Sequence, residues 1–134
     1  MRAVHIVFVA WLGLAGCNVG PRPRTFPPAQ GPEGVGARLV TRHRQLRGEV
    51  LVVHDTALIV RGGDSLYFVP VAAITQGTFP QVFEAQIRRG AFVRKETGRE
   101  RLRLVSRFPQ GLSDDRVQAL LAAYGQRALV EVPP

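Results

Sequence analysis

Between Leu46 and Ile74 the chain reads LRGEVLVVHDTALIVRGGDSLYFVPVAAI, in which short aliphatic runs are separated by turn signals of only two or three residues. Connections that brief leave no room for a crossover helix, so consecutive runs must pair as antiparallel neighbours. The β-branched and aliphatic runs Arg47 to His54 and Ala57 to Arg61 are expected to be strands joined at Asp55-Thr56. Gly62-Gly63-Asp64 makes a second turn, and Ser65 to Val71 a third strand. Pro70 cannot donate a ladder hydrogen bond, which confines it to an edge or a strand end.

This stretch resembles the bent three-strand meander of Sm-like and other SH3-type small β-barrels. Gly48 matches the glycine near the start of the first strand, Asp55 the aspartate of the first turn and Leu58 to Val60 the aliphatic second strand. Gly62-Gly63 matches the glycine turn and Ile74 the isoleucine into which the last strand runs. The resemblance implies a small SH3-like or Sm-like barrel or a bent meander sheet. The RNA-contacting residues of such barrels have no placed counterpart here, so no RNA activity is carried over.

The second half of the chain is less regular. Arg101 to Arg107 (RLRLVSR) alternates, which predicts a strand with Leu102 and Leu104 inward and Arg101 and Arg103 outward. Ile87, Phe92 and Val93 are expected to supply a further strand or hairpin partner across Glu96-Thr97-Gly98. A helix is predicted at about 114–124: Ser113 caps it, Asp114 and Asp115 complement its first turn, and Val117, Leu120, Leu121 and Tyr124 recur at helical spacing before Gly125. Tyr124 is expected in the core or at its rim. The segment Arg127 to Val132 is expected to return as a strand. The predicted class is mostly β with one C-terminal α-helix, an α+β domain over 37–134.

The N-terminal MRAVHIVFVAWLGLAGC has a basic start, an apolar run and small residues before the chain's one cysteine. The run is too short to span a bilayer, which takes about 20 apolar residues, and the layout is that of a cleaved secretory signal. Leu14-Ala15-Gly16-Cys17 resembles the lipobox of bacterial lipoproteins. That resemblance implies removal of residues 1–16, acylation of Cys17 and attachment to a membrane, and Asn18 is compatible with the outer membrane, facing the periplasm. Residues 17–36, rich in proline and glycine, are expected to be a tether. With its one thiol acylated, the chain would hold together by packing alone.

Processing would leave seventeen basic and ten acidic residues, a formal charge of about +7. Arg38, Arg42, Arg44 and Arg47 lie near the start of the domain, and Arg88, Arg89, Arg94, Lys95, Arg99, Arg101 and Arg103 mark a candidate anion-binding face for phospholipid, lipopolysaccharide or cell-wall polymer. Nucleic acid is not the expected partner, because base-stacking aromatics are not interleaved with the cations and export removes the usual targets.

Catalytic parts are scarce. After processing, the histidines are His43 and His54, neither in a nucleophile or metal-ligand pattern. A hydrolase would require two or more of His43, His54, Asp55, Asp64, Ser65 and Ser106 to meet in a pocket. Gly62-Gly63-Asp64-Ser65 lacks the Gly-Lys-Ser/Thr ending of a phosphate loop. The expectation is a non-enzymatic envelope module without metal or cofactor, working through an envelope protein or an anionic envelope ligand.

Overall fold

The computed structural model describes residues 34–134; the proposed signal segment, Cys17 and most of the tether lie outside the described residues. The elements run β1 (Val35–Thr41), β2 (Gln45–Val53), β3 (Ala57–Gly62), β4 (Ser65–Pro70), a 3-10 turn (Val71–Ala73), β5 (Ile74–Thr78), β6 (Gln86–Arg88), β7 (Ala91–Phe92), α1 (Thr97–Val105), α2 (Asp114–Ala123) and β8 (Val130–Glu131). The strands form one open sheet in the order β7-β6-β5-β1-β2-β3-β4-β8. Among the described residues only the β4–β8 pairing is parallel. The protein is mostly β with an α+β architecture.

The expected meander is present as β2, β3 and β4 pairing in succession, and β1 extends it by pairing with both β2 and β5. Bulges bend the sheet. In β2 the register shifts between Val50 and Val52, so that Leu51 is the extra residue. Leu51 and Val52 consequently join one apolar cluster while Val50 and Val53 join the other. The carbonyls of Val50 and Leu51 at this bulge accept hydrogen bonds from the Arg107 and Phe108 N–H groups, at 3.2 and 2.8 Å. Gly48 sits at a close approach of β2 and β3: a Cβ there would lie 1.9 Å from the Arg61 carbonyl oxygen.

The main core gathers Leu39, Val50, Leu58, Val60, Val69, Ile74, Phe79, Ile87 and Leu102 on one side of the sheet. The second core lies on the opposite side, where Leu120 and Leu121 of α2 pack with Leu51, Val52, Ile59, Leu66 and Phe108. Helix α2 matches its predicted ends: the Ser113 hydroxyl accepts from the Arg116 N–H at 3.4 Å, and Gly125 takes a positive φ of 67°. Tyr124 packs against this second core as expected.

Four expectations are corrected. The alternating segment Arg101 to Arg107 is helical, not extended, over the stretch that belongs to α1. Leu102 is buried and Leu104 is 52% exposed. Arginine, glutamate and leucine favour helix, and Leu102 with Val105, three residues apart, forms the single face turned to the main core. Glu96-Thr97-Gly98 is therefore the entrance to α1 and not a hairpin turn. The hairpin formed by β6 and β7 turns instead at Arg89 and Gly90, both in the left-handed region at φ 49° and 79°, as a two-residue connection requires.

The sheet includes residues before 37. Val35 is buried, and Gly36 pairs with Glu49 across β1 and β2, so both belong to the sheet and not to the tether. The returning C-terminal strand shrinks to Val130–Glu131, beside Tyr67 and Phe68. The Gln126 side chain has taken part of its role, accepting from the Leu66 N–H at 2.7 Å and donating to the Leu66 carbonyl at 3.2 Å.

Candidate functional site

The β6–β7 hairpin folds back over the 3-10 turn. The Arg89 N–H donates to the Thr75 carbonyl at 2.9 Å and the Gly90 N–H to the Ile74 carbonyl at 2.8 Å. This brings the Gly90 backbone against Ala72 so closely that a Cβ at Gly90 would meet the Ala72 carbonyl oxygen at 3.0 Å. The contact forms a ridge between two open depressions. One, of about 320 Å³, is lined by Asp55, Thr56, Phe92, Lys95 and Arg99. The other, of about 460 Å³, is lined by Arg42, Ile74, Thr75, Arg89 and Pro134.

Arg42, Arg89, Lys95 and Arg99 thus converge on two sides of one ridge, although Arg42 is far from the other three in sequence. Asp55 lies 3.6 Å from the Arg99 guanidinium. Its carboxylate is almost fully exposed, so the pair is screened by water and neutralises Arg99 only in part.

The seven expected cations do not make one continuous face. Arg89, Lys95 and Arg99 belong to the depressions just described. Arg101 is taken up by Glu84 at 2.8 Å. Arg103 is bound on both sides, by the Glu100 carboxylate (3.0 Å from Nε to Oε2) and by the Pro109 carbonyl at 2.6 Å. The hydrogen bonds from Arg103 hold the Glu100 carboxyl below the usual carboxylate range, and the Arg103 guanidinium is raised by the same bonds. Arg94 lines a third depression, of about 380 Å³, with Phe83, Glu84, Gln86 and Val93. Arg88 is exposed and shares the outward face of β6 with Gln86, two residues away.

The residues considered for hydrolysis are dispersed. His43 sits in the β1–β2 turn, its N–H donating to the Thr41 hydroxyl at 3.3 Å. His54 and Asp55 lie together in the exposed β2–β3 turn, while Asp64 and Ser65 lie at the β3–β4 turn. Ser106 is buried, and its hydroxyl donates to the Arg103 carbonyl at 2.6 Å. Of these six, only Asp55 lines any of the three depressions. Among the described residues no group of three or more His, Cys, Asp or Glu side chains is placed to hold a metal ion.

Two features escaped sequence reasoning. Arg42 lies near the start of the domain in sequence, and only the β1–β5 pairing, which sets Thr41 opposite Ile74, carries it to the depression that holds Arg89. Phe83 gave no signal, because nothing in QVFEAQ distinguishes the buried Val82 from a neighbour that is 80% exposed.

The fold and its surface define a class: an α+β domain with an open, bent sheet and a cation-bearing ridge. No protein-family model, curated protein or solved structure matches the chain.

Proposed function

We propose that this chain is a lipid-anchored cell-envelope protein whose mostly β domain serves as a non-enzymatic interaction or accessory module. The observation that carries the reading is Leu14-Ala15-Gly16-Cys17, small residues and a lone cysteine closing a short apolar run. Two or three acyl chains on Cys17 make a stable anchor where one gives only marginal binding. The chain between Cys17 and β1 then suspends the domain near the bilayer, at the periplasmic face of the outer membrane given Asn18. Among the described residues no helix is long and apolar enough to cross a membrane.

Intact-mass measurement of the membrane-fraction protein tests this reading. The expected product starts at Cys17 and carries diacylglyceryl mass; a full-length, lipid-free chain recovered from cytosol overturns it. Crosslinking in intact cells followed by mass spectrometry is expected to capture one reproducible envelope protein.

A second reading is favoured by the convergence of Arg42, Arg89, Lys95 and Arg99 about the Ala72–Gly90 ridge. In it the domain binds an anionic envelope ligand, either phospholipid, lipopolysaccharide or a cell-wall polymer. Binding of such a ligand is then salt-sensitive, and Arg89→Ala with Lys95→Ala weakens it without altering stability.

A further inference from the structure

The loop between β5 and β6 buries Phe79, Val82 and Ala85 in the main core yet leaves Phe83 80% exposed. The loop is held by its own backbone: the Val82 N–H donates to the Phe79 carbonyl at 2.8 Å and the Ala85 N–H to the Val82 carbonyl at 3.0 Å. Three anchored side chains therefore fix Phe83 outward. Beside it Val93 is 57% exposed, and the two share a depression with Gln86 and Arg94. Arg88 shares the outward face of β6 with Gln86, which lines that depression. The one carboxylate in the depression, Glu84, is occupied by Arg101 at 2.8 Å. The result is a small apolar surface whose nearby charge is cationic.

We infer that this face is a bilayer-contact site: Phe83 and Val93 enter the headgroup region of an anionic phospholipid surface while Arg88 and Arg94 meet its phosphates. Charge complementarity selects this occupant. Apolar side chains beside arginine gain from burial among acyl chains and from the negative potential of the same surface. The arginine stems can lie along the apolar boundary with their guanidinium groups at phosphate depth. The inference rests on the envelope reading above, because the tether from Cys17 would keep the domain within reach of lipid. It makes the domain a second, reversible point of attachment.

The test uses the chain from Asn18 onward, which lacks the acylated cysteine but retains every residue of both cores. Trp11 is the chain's one tryptophan and is absent from this product, so Phe83→Trp supplies a unique fluorophore. With phosphatidylethanolamine–phosphatidylglycerol vesicles its emission is expected to shift to the blue, whereas pure phosphatidylcholine vesicles leave it unchanged. Phe83→Ser with Val93→Ser lowers partitioning roughly tenfold, the scale set by exposing a large apolar side chain, while the melting temperature stays that of the parent. Arg94→Glu lowers partitioning further at low salt.

Partitioning that ignores the double serine variant, or emission that does not move, overturns the inference. So does a dimer that dissociates on the same substitutions, since the apolar face would then be covered by a second copy. Because the acyl group is absent throughout, failure here leaves the Cys17 mass measurement to judge the anchor separately.

Discussion

Truncating Leu102 to alanine removes most of an isobutyl group from a position with 0% exposure in the main core. Leucine-to-alanine changes at such sites cost about 2–5 kcal/mol, the spread reflecting how far the surroundings close over the cavity. A value near 3 kcal/mol is expected here, because α1 is a short helix resting on the sheet by one face and can settle partly into the gap. The matching truncation at Leu104, which is 52% exposed, costs less than about 0.5 kcal/mol. For a domain of this size each kcal/mol moves the melting temperature by about 4–8 °C, so Leu102→Ala lowers it by roughly 12–24 °C and Leu104→Ala by a few degrees at most. Urea and thermal unfolding of the chain from Asn18, with unchanged m-values, would give both numbers. Two leucines placed inward on one strand would cost about the same, so comparable losses at 102 and 104 would refute the helical placement of α1.

Gly48→Ala forces a Cβ to within 1.9 Å of the Arg61 carbonyl oxygen, and separating β2 from β3 there is expected to cost about 1–3 kcal/mol or prevent folding; equilibrium unfolding with parental stability would contradict it. Glu49 lies 3.1 Å from Arg61, also accepts from Arg107, and its side chain is only 11% exposed. Since both arginines keep solvent contact, Glu49→Gln is expected to cost about 1–2 kcal/mol, less than a fully buried pair would, by the same unfolding assay. Glu100 titrates below the usual carboxylate range because Arg103 hydrogen-bonds to its charged form. A depressed folded-state value means that this contribution is present above the unfolded value and fades as pH falls through the folded one. NMR titration of the Glu100 side chain is expected to show that low value, and Arg103→Gln to move it upward.

The meander was legible because its residues are constrained by neighbours in sequence: Asp55-Thr56 and Gly62-Gly63-Asp64 leave the flanking runs no partner but each other. Helix α2 was legible for a similar reason, since Ser113, the acidic first turn, the apolar stripe and Gly125 are all local signals. Legibility failed where local pattern admitted two answers. In RLRLVSR the alternation fits a strand, while Leu102 and Val105 fit one helical face equally well, and the choice fell to the main core, which accepts one leucine and turns the other to water. The Arg89-Gly90 turn was hidden because arginine is an unusual occupant of the left-handed region, and the hydrogen bonds to Thr75 and Ile74 are what hold it there. Of the expected cations, Arg101 and Arg103 are drawn into pairs on or beside α1, whereas Arg42 joins Arg89 through β1–β5 pairing.

By itself the order of residues determined the strand-and-turn rhythm from Leu46 to Ile74, the capped helix before Gly125, the scarcity of catalytic groups and the cysteine on which the envelope proposal rests. These follow from covalent neighbours and from the periodicity with which apolar groups must face one side. Tertiary structure alone decided that Val35 belongs to the sheet, that Leu102 sits on a helix, that the distant Arg42 joins Arg89, Lys95 and Arg99 about the Ala72–Gly90 ridge and that Phe83 points outward. Those outcomes depend on which segments compete for the same buried volume, and that competition is settled only when the whole chain is packed.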